Sequence, residues 1–268
     1  ALSLDPFEVV QITATPEDDF EPAWSPDGRR IAFTRRNGSR RDICVVEVDY
    51  EGGHHLTNLT QGQGDNRSPC WSPDGGKIAF CRSTPTTFPG IFTVSADGGD
   101  PVQLLESRWG AEYPSWSPDG TRISFVSRKE DGRGPPQLWV MDADGGNLRR
   151  LTDDRGYTSK IAPRWSAGGT QIIYGAGIGF GTGILSLEAE GGHPVSYGQG
   201  AYPSWVMSDS RLLYVAGYFS PKGFEWYSDL CLKDPVGGTA FNLSALLREH
   251  WLLNTLYNVN PSWTSSAW

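Results

Sequence analysis

Short apolar runs bounded by turn residues recur along the whole chain, and they predict strands rather than helices. The clearest is segment 121–126, where polar and apolar positions alternate as in a half-buried strand. Similar runs of three or four apolar residues begin at Ile31, Ile78, Ile172 and Leu212. Each is followed by a second apolar run and a Gly-Gly turn. This arrangement predicts an all-β protein built from repeated hairpins.

The turn that precedes each pair of runs is itself repeated. Trp24, Trp71 and Trp116 each begin the sequence Trp-Ser-Pro-Asp-Gly, and weaker copies surround Trp165, Trp205 and Trp263. Proline sets φ for the second position of a tight turn, and glycine supplies the left-handed conformation that closes it. The tryptophans are 40 to 58 residues apart, the period of propellers and solenoids. Four strands per repeat predict a β-propeller of four-stranded antiparallel blades.

The number of blades is the open point of this prediction. Five repeats are complete, and we place their blades at about 22–60, 69–105, 114–152, 163–197 and 203–243. Residues 261–268 resemble the innermost strand of an incomplete sixth blade, and residues 8–13 resemble an outermost strand that closes the ring. We therefore predict one six-bladed domain over residues 1–268, with five blades as the alternative. The sixth blade lacks its two middle strands, so the natural chain continues beyond Trp268, the ring closes irregularly, or a second molecule completes it.

The full repeat resembles that of TolB-type β-propellers. The shared pattern is Pro-x-Trp-Ser-Pro-Asp-Gly, then Ile-Ala-Phe, then a strand ending Asp-x-Asp-Gly-Gly, then Leu-Thr. It is specific in the first three repeats and decays at Ser166 and Val206. The resemblance implies a periplasmic or otherwise extracytoplasmic protein. TolB also carries a separate α/β domain, to which nothing in this sequence corresponds, so its particular activity and binding residues are not carried over.

Charge and cysteine content narrow the function classes. The net charge of −8 and the pI near 5.0 argue against nucleic acid as the main partner. No stretch approaches the roughly 18 apolar residues needed for a membrane span. The cysteines lack metal-type spacing, and we interpret them as buried reduced thiols, with a disulfide among Cys44, Cys70 and Cys81 as the alternative.

Loops of uneven length gather on one face of the predicted disc, which we call the variable-loop face; the Ser-Pro-Asp-Gly and Gly-Gly turns form the opposite turn face. Loops of this kind on a regular scaffold often carry function. The segment 218–227 has five aromatic residues in ten. The candidate partner or ligand residues are Tyr218, Phe219, Phe224, Trp226, Tyr227, Trp109, Arg36 and Arg40, and Phe88 lies on the same face. The alternatives are a local apolar cluster for the aromatic residues and a solvated surface for the arginines.

The leading ends of the innermost strands bring charged residues to the central channel. Glu21, Asp65 and Glu112 are candidate ligands for a hard cation such as Ca²⁺. Basic residues are interspersed among them, which favours a salt-bridged or water-filled channel without a cofactor. The four histidines are not spaced as metal ligands, and no nucleophile elbow or phosphate loop occurs.

Two functions remain open on the sequence. The first is a non-catalytic propeller that binds a protein partner through the variable-loop face. The alternative is a ligand-binding or enzymatic propeller that acts on oligosaccharides, with the channel carboxylates as its site.

Segment 244–256 predicts a short helix capped by Ser244, which packs on the disc or docks a second chain. A homo-oligomer could form through this segment or through the incomplete sixth blade. Asn37, Asn58, Asn66 and Asn242 begin Asn-x-Ser/Thr triplets, which matter as glycosylation sites only in a eukaryotic secretory pathway.

Overall fold

The computed structural model describes residues 11–48, 55–106, 108, 110–128, 134–153, 159–177, 183–206, 211–219, 226–234 and 240–244, with the backbone alone at 217–219 and 226–228. These residues form twenty strands, which pair as five four-stranded antiparallel sheets. Each sheet runs in chain order from an innermost to an outermost strand. The predicted blade architecture is therefore confirmed.

The strand bounds follow the repeat. Blades 1 and 2 comprise β1 (Asp19–Trp24), β2 (Arg30–Asn37), β3 (Arg40–Glu47), β4 (Leu56–Asn58), β5 (Asp65–Trp71), β6 (Lys77–Thr84), β7 (Thr87–Ser95) and β8 (Val102–Leu105). Blades 3 and 4 comprise β9 (Ala111–Trp116), β10 (Arg122–Ser127), β11 (Gln137–Asp142), β12 (Arg149–Arg150), β13 (Ser159–Trp165), β14 (Gln171–Gly177), β15 (Gly183–Glu188) and β16 (Val195–Gln199). Blade 5 comprises β17 (Ala201–Val206), β18 (Arg211–Phe219), β19 (Trp226–Lys233) and β20 (Phe241–Asn242).

The prediction of six blades is wrong, since the residues that the structure describes form five. It depended on an innermost-strand motif at 261–268 that lacks the middle strands needed to form a sheet, and this segment lies outside the described residues. Of the predicted closing strand 8–13, only residues 11–13 are described, and they are not in a strand. Within the described residues, no apolar cluster joins blade 5 to blade 1, and Trp24 is 46% exposed.

The core lies between neighbouring blades rather than at the centre of the disc. Successive side chains of a middle strand face opposite neighbours, so Ile78 and Phe80 pack towards blade 1 while Ala79 and Cys81 pack towards blade 3. The middle strands are thus buried on both faces, which accounts for their continuous apolar runs. The half-buried alternation predicted for 121–126 is wrong for this reason: every residue of β10 after Arg122 is buried.

On the turn face, the repeat turn is stabilised by hydrogen bonds of its own side chains. In blade 3, Ser117 Oγ donates to Asp119 Oδ1 at 2.6 Å and accepts from the backbone N–H of Arg122 at 2.9 Å. Gly120 supplies the left-handed conformation, with φ of 71°. Hydrogen bonds from Ser117 and from the Thr121 N–H lower the pKa of Asp119 to about 2. The sequence Ser-Pro-Asp-Gly therefore fixes the hairpin from within the turn.

Neighbouring blades are also joined across the turn face, though unevenly. Trp71 Nε1 donates to the Ala23 carbonyl at 2.8 Å, and the Arg30 guanidinium lies 4.8 Å above the Trp71 ring. Blades 3 and 4 repeat this arrangement with Trp165, Ser115 and Arg122, at 3.0 Å and 4.8 Å. At the other two interfaces, the indole N–H groups of Trp116 and Trp205 are buried without a partner.

No helix among the described residues is long and apolar enough to cross a membrane. All four cysteines are free, and Cys44, Cys81 and Cys231 are buried. This agrees with their interpretation as reduced apolar side chains in the core.

Candidate partner-binding face

Each innermost strand bends at the residue that precedes the repeat proline. These residues have left-handed φ values between 45° and 57°: Glu21, Ser68, Tyr113, Ala162 and Tyr202. Each strand shows a bulge there in its pairing with the next strand. A non-glycine residue before proline avoids this conformation, so the strain must be offset by the surrounding sheet. The bulge re-aims side chains at the rim of the channel.

Side chains from separate blades meet at these bulges. Burial raises the pKa of Tyr113, and the charges of Glu112, Tyr202 and Glu21 raise it further. Burial likewise raises the pKa of Tyr202, with Glu21 adding to the effect. Because these residues come from blades 1, 3 and 5, they can influence one another only across the channel. Glu21 also accepts hydrogen bonds from the Ser68 N–H at 2.6 Å and from Thr34 Oγ1 at 2.8 Å.

The mouth of the channel carries an ion-pair network from three blades. Arg41 binds both carboxylate oxygens of Asp65, at 2.9 and 2.7 Å, and this hydrogen bonding lowers the pKa of Asp65. Arg67 lies 3.3 Å from Asp65 and 3.8 Å from Glu112. Among the described residues, no group of three or more His, Cys, Asp or Glu side chains could hold a metal ion. The channel calcium ion stays a hypothesis, and Asp65 and Glu112 already have cationic partners.

The arginines of blade 1 divide between buried and exposed positions. Arg35 forms a two-point pair with Asp19, with both distances 2.8 Å. Arg36 is exposed, lies 3.6 Å from Asp18 and covers the Phe20 ring at 5.2 Å. Arg40 is exposed and donates to the Gly62 carbonyl at 2.9 Å. Arg36 and Arg40 thus remain on the surface of the variable-loop face, next to the channel mouth.

Among the described residues, blade 5 has the middle hairpin that extends furthest past its innermost strand. The last residue pair between β17 and β18 is Ala201–Val215, but the β18–β19 ladder continues for four more pairs. It ends with Tyr218 opposite Tyr227 and Phe219 opposite Trp226. Four residues of strand add about 14 Å. The described residues of the aromatic segment predicted as a loop, 218–219 and 226–227, are therefore in the strands of a hairpin that extends past the innermost strand.

The remaining candidates are distributed as follows. Phe88, at the β6–β7 end of blade 2, is 62% exposed. Trp109, Phe224 and residues 245–256 of the predicted helix lie outside the described residues. Phe88 and the blade 5 hairpin therefore carry the described aromatic residues of the variable-loop face.

Sequence reasoning missed two buried carboxylates that lie beneath this face. Asp42 begins the buried part of β3 in blade 1, and Asp229 occupies the same position in β19 of blade 5. The available signal was the pairing of each with an outer-strand triplet, Asn58-Leu59-Thr60 and Asn242-Leu243-Ser244. We noted these triplets only as glycosylation sequences.

Comparison with known proteins gives the family and the fold. The family model described as the TolB beta propeller domain, PD40, matches residues 3–218. A curated relative, the uncharacterized protein Atu1656 of Agrobacterium fabrum strain C58, is 34% identical over 157 residues, which are 56% of this chain and 52% of the relative. The match thus spans about half the length of that relative.

Two solved structures share the architecture. A candidate TolB from Agrobacterium tumefaciens superposes with a TM-score of 0.70 at 21% identity, over 87% of this chain and 82% of the other. TolB from Acinetobacter baumannii superposes with a TM-score of 0.66 at 19% identity, over 85% of this chain and 57% of the other. At this level of identity the likeness shows the fold alone.

Proposed function

The chain belongs to the TolB β-propeller domain family, and from that premise we propose that it is a non-catalytic scaffold that binds a protein partner through its variable-loop face. The extended β18–β19 hairpin is the observation that carries this proposal. Aromatic residues dominate the hot spots of protein interfaces. Here two aromatic pairs end a ladder that continues four residues past the innermost strand.

The rest of the variable-loop face supports a partner surface. Phe88 of blade 2 is 62% exposed, and Arg36 and Arg40 are exposed on blade 1, the preceding blade. Aromatic residues and arginine are the types enriched at protein interfaces. On the turn face, Arg30 and Arg122 are less accessible, because their side chains are only 23% and 24% exposed and lie over the tryptophan of the next blade. A partner would therefore find its contact residues on the variable-loop face.

The channel residues favour binding over catalysis. A general acid or base needs a pKa near the working pH. Asp65 instead has a lowered pKa because Arg41 binds it, and Tyr113 has a pKa raised by burial. The resemblance to TolB proteins also supports an extracytoplasmic location, which we include in the proposal.

A quantitative pull-down tests this function. Purified wild-type chain and the variants Trp226→Ala, Phe88→Ser and His193→Ala serve as bait in extract of the source organism. His193 is the control, since it is exposed on the opposite turn face. We expect a partner that the wild type and His193→Ala retain equally and that Trp226→Ala loses by about tenfold or more, with Phe88→Ser intermediate. Melting temperatures should be unchanged. If all four baits retain the same proteins in the same amounts, the assignment of this face is wrong.

A further inference from the structure

Asp42 is a fully buried carboxylate whose hydrogen-bond donors are all neutral. Its Oδ1 accepts from Thr60 Oγ1 at 2.9 Å and from the Gly62 N–H at 2.7 Å. Its Oδ2 accepts from the side-chain amides of Asn58 at 3.0 Å and Asn37 at 3.2 Å. Burial alone would raise the pKa of Asp42, but these four hydrogen bonds outweigh it and hold the pKa below its ordinary value. Burying a charge in this way is costly unless the donors are fixed in place.

Three of the four donors, on Asn58, Thr60 and Gly62, come from the segment that leads from blade 1 to blade 2 and folds around the carboxylate; the fourth, Asn37, is the last residue of β2. Asn58 Oδ1 accepts from the backbone N–H groups of Thr60 and Gln61, at 3.1 and 2.8 Å. Gln61 and Gly62 both have left-handed φ values, 48° and 76°. A left-handed non-glycine residue is strained unless its surroundings hold it. The Asp42 carboxylate stabilises this conformation, since it accepts a hydrogen bond directly from the Gly62 N–H.

The same connection leads into the channel mouth. The buried Asn66 donates to the Gln63 carbonyl at 3.0 Å and to the Arg41 carbonyl at 2.9 Å. It also accepts from Arg82 Nε at 2.8 Å. Asn66 lies between Asp65 and Arg67, the two residues that form the mouth's ion pairs. The position of these charges therefore depends on the path of residues 58–63.

The other blades show that the buried carboxylate is selective, although Gln137 of blade 3 accepts from Thr152 Oγ1 at 2.6 Å. The residue at the Asp42 position is Gly90 in blade 2, Gln137 in blade 3, Gly183 in blade 4 and Asp229 in blade 5. At Gly90 a Cβ would meet the Leu105 carbonyl at 2.5 Å, so no side chain fits there. In blade 5, Asp229 is buried and accepts from Asn242 Nδ2 at 2.7 Å. Asp229 pairs with Ala216, the first residue of the hairpin that extends past β17.

We propose that Asp42 is a positioning residue for the variable-loop face: its buried carboxylate fixes residues 58–63 and thereby places Asp65 and Arg67 at the channel mouth. Asp229 occupies the same strand position in blade 5 and likewise accepts from the asparagine of the outer strand, Asn242. The two carboxylates occur in the two blades that carry the exposed arginines and the extended hairpin. The proposal rests on the proposed function only in calling this face the binding face.

The role of Asp42 is tested by moving its carboxylate to position 58 and the Asn58 amide to position 42. Asp42→Asn replaces the Oδ2 acceptor with an amide donor that faces the Asn58 amide, so two donors oppose each other. The double variant Asp42→Asn/Asn58→Asp moves the carboxylate across that hydrogen bond and restores a donor–acceptor pair. Residue 58 then still accepts from the N–H groups of Thr60 and Gln61. A loss of stability caused by volume or packing alone would not be corrected by this exchange.

The readout is amide hydrogen exchange of the native protein, measured for residues 60–67 and for the strands of blades 3 and 4. In Asp42→Asn we expect exchange at 60–67 to accelerate by about tenfold or more, with blades 3 and 4 unchanged, and the double variant should recover most of the protection. Uniform acceleration over all blades, or a double variant as fast as the single one, would overturn the proposal. If Asp42→Asn does not fold, Asn37→Ala, which removes a donor to Asp42 that lies outside residues 58–63, should accelerate the same residues, and unchanged protection there would overturn it equally.

A second measurement separates this inference from the proposed function. The exchange experiment needs no partner, so it decides the positioning role even if the pull-down finds none. Where a partner is found, Asp42→Asn should weaken its capture and the double variant should restore it. Full capture by an Asp42→Asn variant whose residues 60–67 exchange faster would overturn the link between the channel mouth and binding while leaving the scaffold proposal intact.

Discussion

The interface between blades 1 and 2 and the interface between blades 2 and 3 come from the same repeat, yet they hold the repeat tryptophan differently. Trp71 donates its indole N–H to blade 1 and is covered by Arg30, which also donates to the Gly75 carbonyl and lies 3.3 Å from Asp97. Trp116 is equally buried but its N–H has no partner. The contrast recurs between Trp165, whose N–H donates to blade 3, and Trp205, whose N–H has no partner although its ring packs edge-on against Tyr197 of blade 4 at 5.9 Å.

The difference follows from one repeat position. The fifth residue after the turn serine is Arg30 in blade 1 and Arg122 in blade 3, but Lys77 in blade 2 and Gln171 in blade 4. A planar guanidinium can stack on an indole and still form hydrogen bonds at its edge, whereas lysine carries a compact charge and glutamine none. Among the described residues, the arginine–tryptophan contact therefore joins blades 1 and 2 and blades 3 and 4 but is missing between blades 2 and 3 and between blades 4 and 5.

The largest expected change in the free energy of unfolding comes from removing the indole N–H, and it should differ between the two kinds of interface. Trp71→Phe loses a made hydrogen bond together with part of the ring, whereas Trp116→Phe loses the same ring area but removes an unsatisfied buried donor. We expect Trp71→Phe to lower the free energy of unfolding by about 1–3 kcal/mol more than Trp116→Phe. Urea unfolding of the two variants measures this difference. Equal losses would show that the unpaired indole carries no cost.

The repeat itself shows how far the sequence could predict the fold. The Ser-Pro-Asp-Gly turn is stabilised by its own side chains, as Ser117 and Asp119 show, so it marks the first hairpin of blades 1 to 3 locally. The burial of β10 on both faces depends on neighbouring blades and could not be read from its alternation. The count of six blades failed for a similar reason, because an innermost-strand motif does not ensure that its partner strands exist.

The candidate site was less predictable than the fold. Tyr218 and Phe219 have high β-propensity, but the Ser220-Pro221-Lys222-Gly223 sequence that follows them indicated a loop, and the ladder that extends to Phe219 appears only in the register of β18 and β19. Asp42 was overlooked because its donors are spread over 25 residues of chain, from Asn37 to Gly62. Such a site is defined by the close approach of two segments.

Converting the weaker interface into the stronger one is the next test. Lys77→Arg places a guanidinium next to Trp116, as Arg30 is placed next to Trp71, and Asp144 of blade 3 occupies the turn position that Asp97 has in blade 2. We expect a gain of about 0.5–1 kcal/mol in the free energy of unfolding. Arg30→Lys is the matched control and should lose a similar amount. A Lys77→Arg variant no more stable than the wild type would show that the arginine position does not set the interface.

The smallest expected change in the free energy of unfolding concerns Glu190, at the exposed end of the interface between blades 3 and 4. Glu190 lies 2.7 Å from Arg122 and 2.8 Å from Arg149, and the Arg122 hydrogen bond, followed by the Arg149 charge, lowers the pKa of Glu190. Because its side chain is 74% exposed, we expect Glu190→Gln to lower the free energy of unfolding by only about 0.5 kcal/mol at pH 7.

A carboxyl whose pKa is lowered on folding stabilises the protein above its unfolded pKa, near 4.3, and loses this contribution as the pH falls through the folded value. The wild type and Glu190→Gln should therefore converge in stability between pH 7 and about pH 2. Glu188→Gln is the control, since Glu188 accepts from the neutral Gln171. A difference between wild type and Glu190→Gln that persists in acid would mean that Glu190 stabilises the junction by contacts other than its charge, and no difference at pH 7 would mean that Arg122 acts through Trp165 alone.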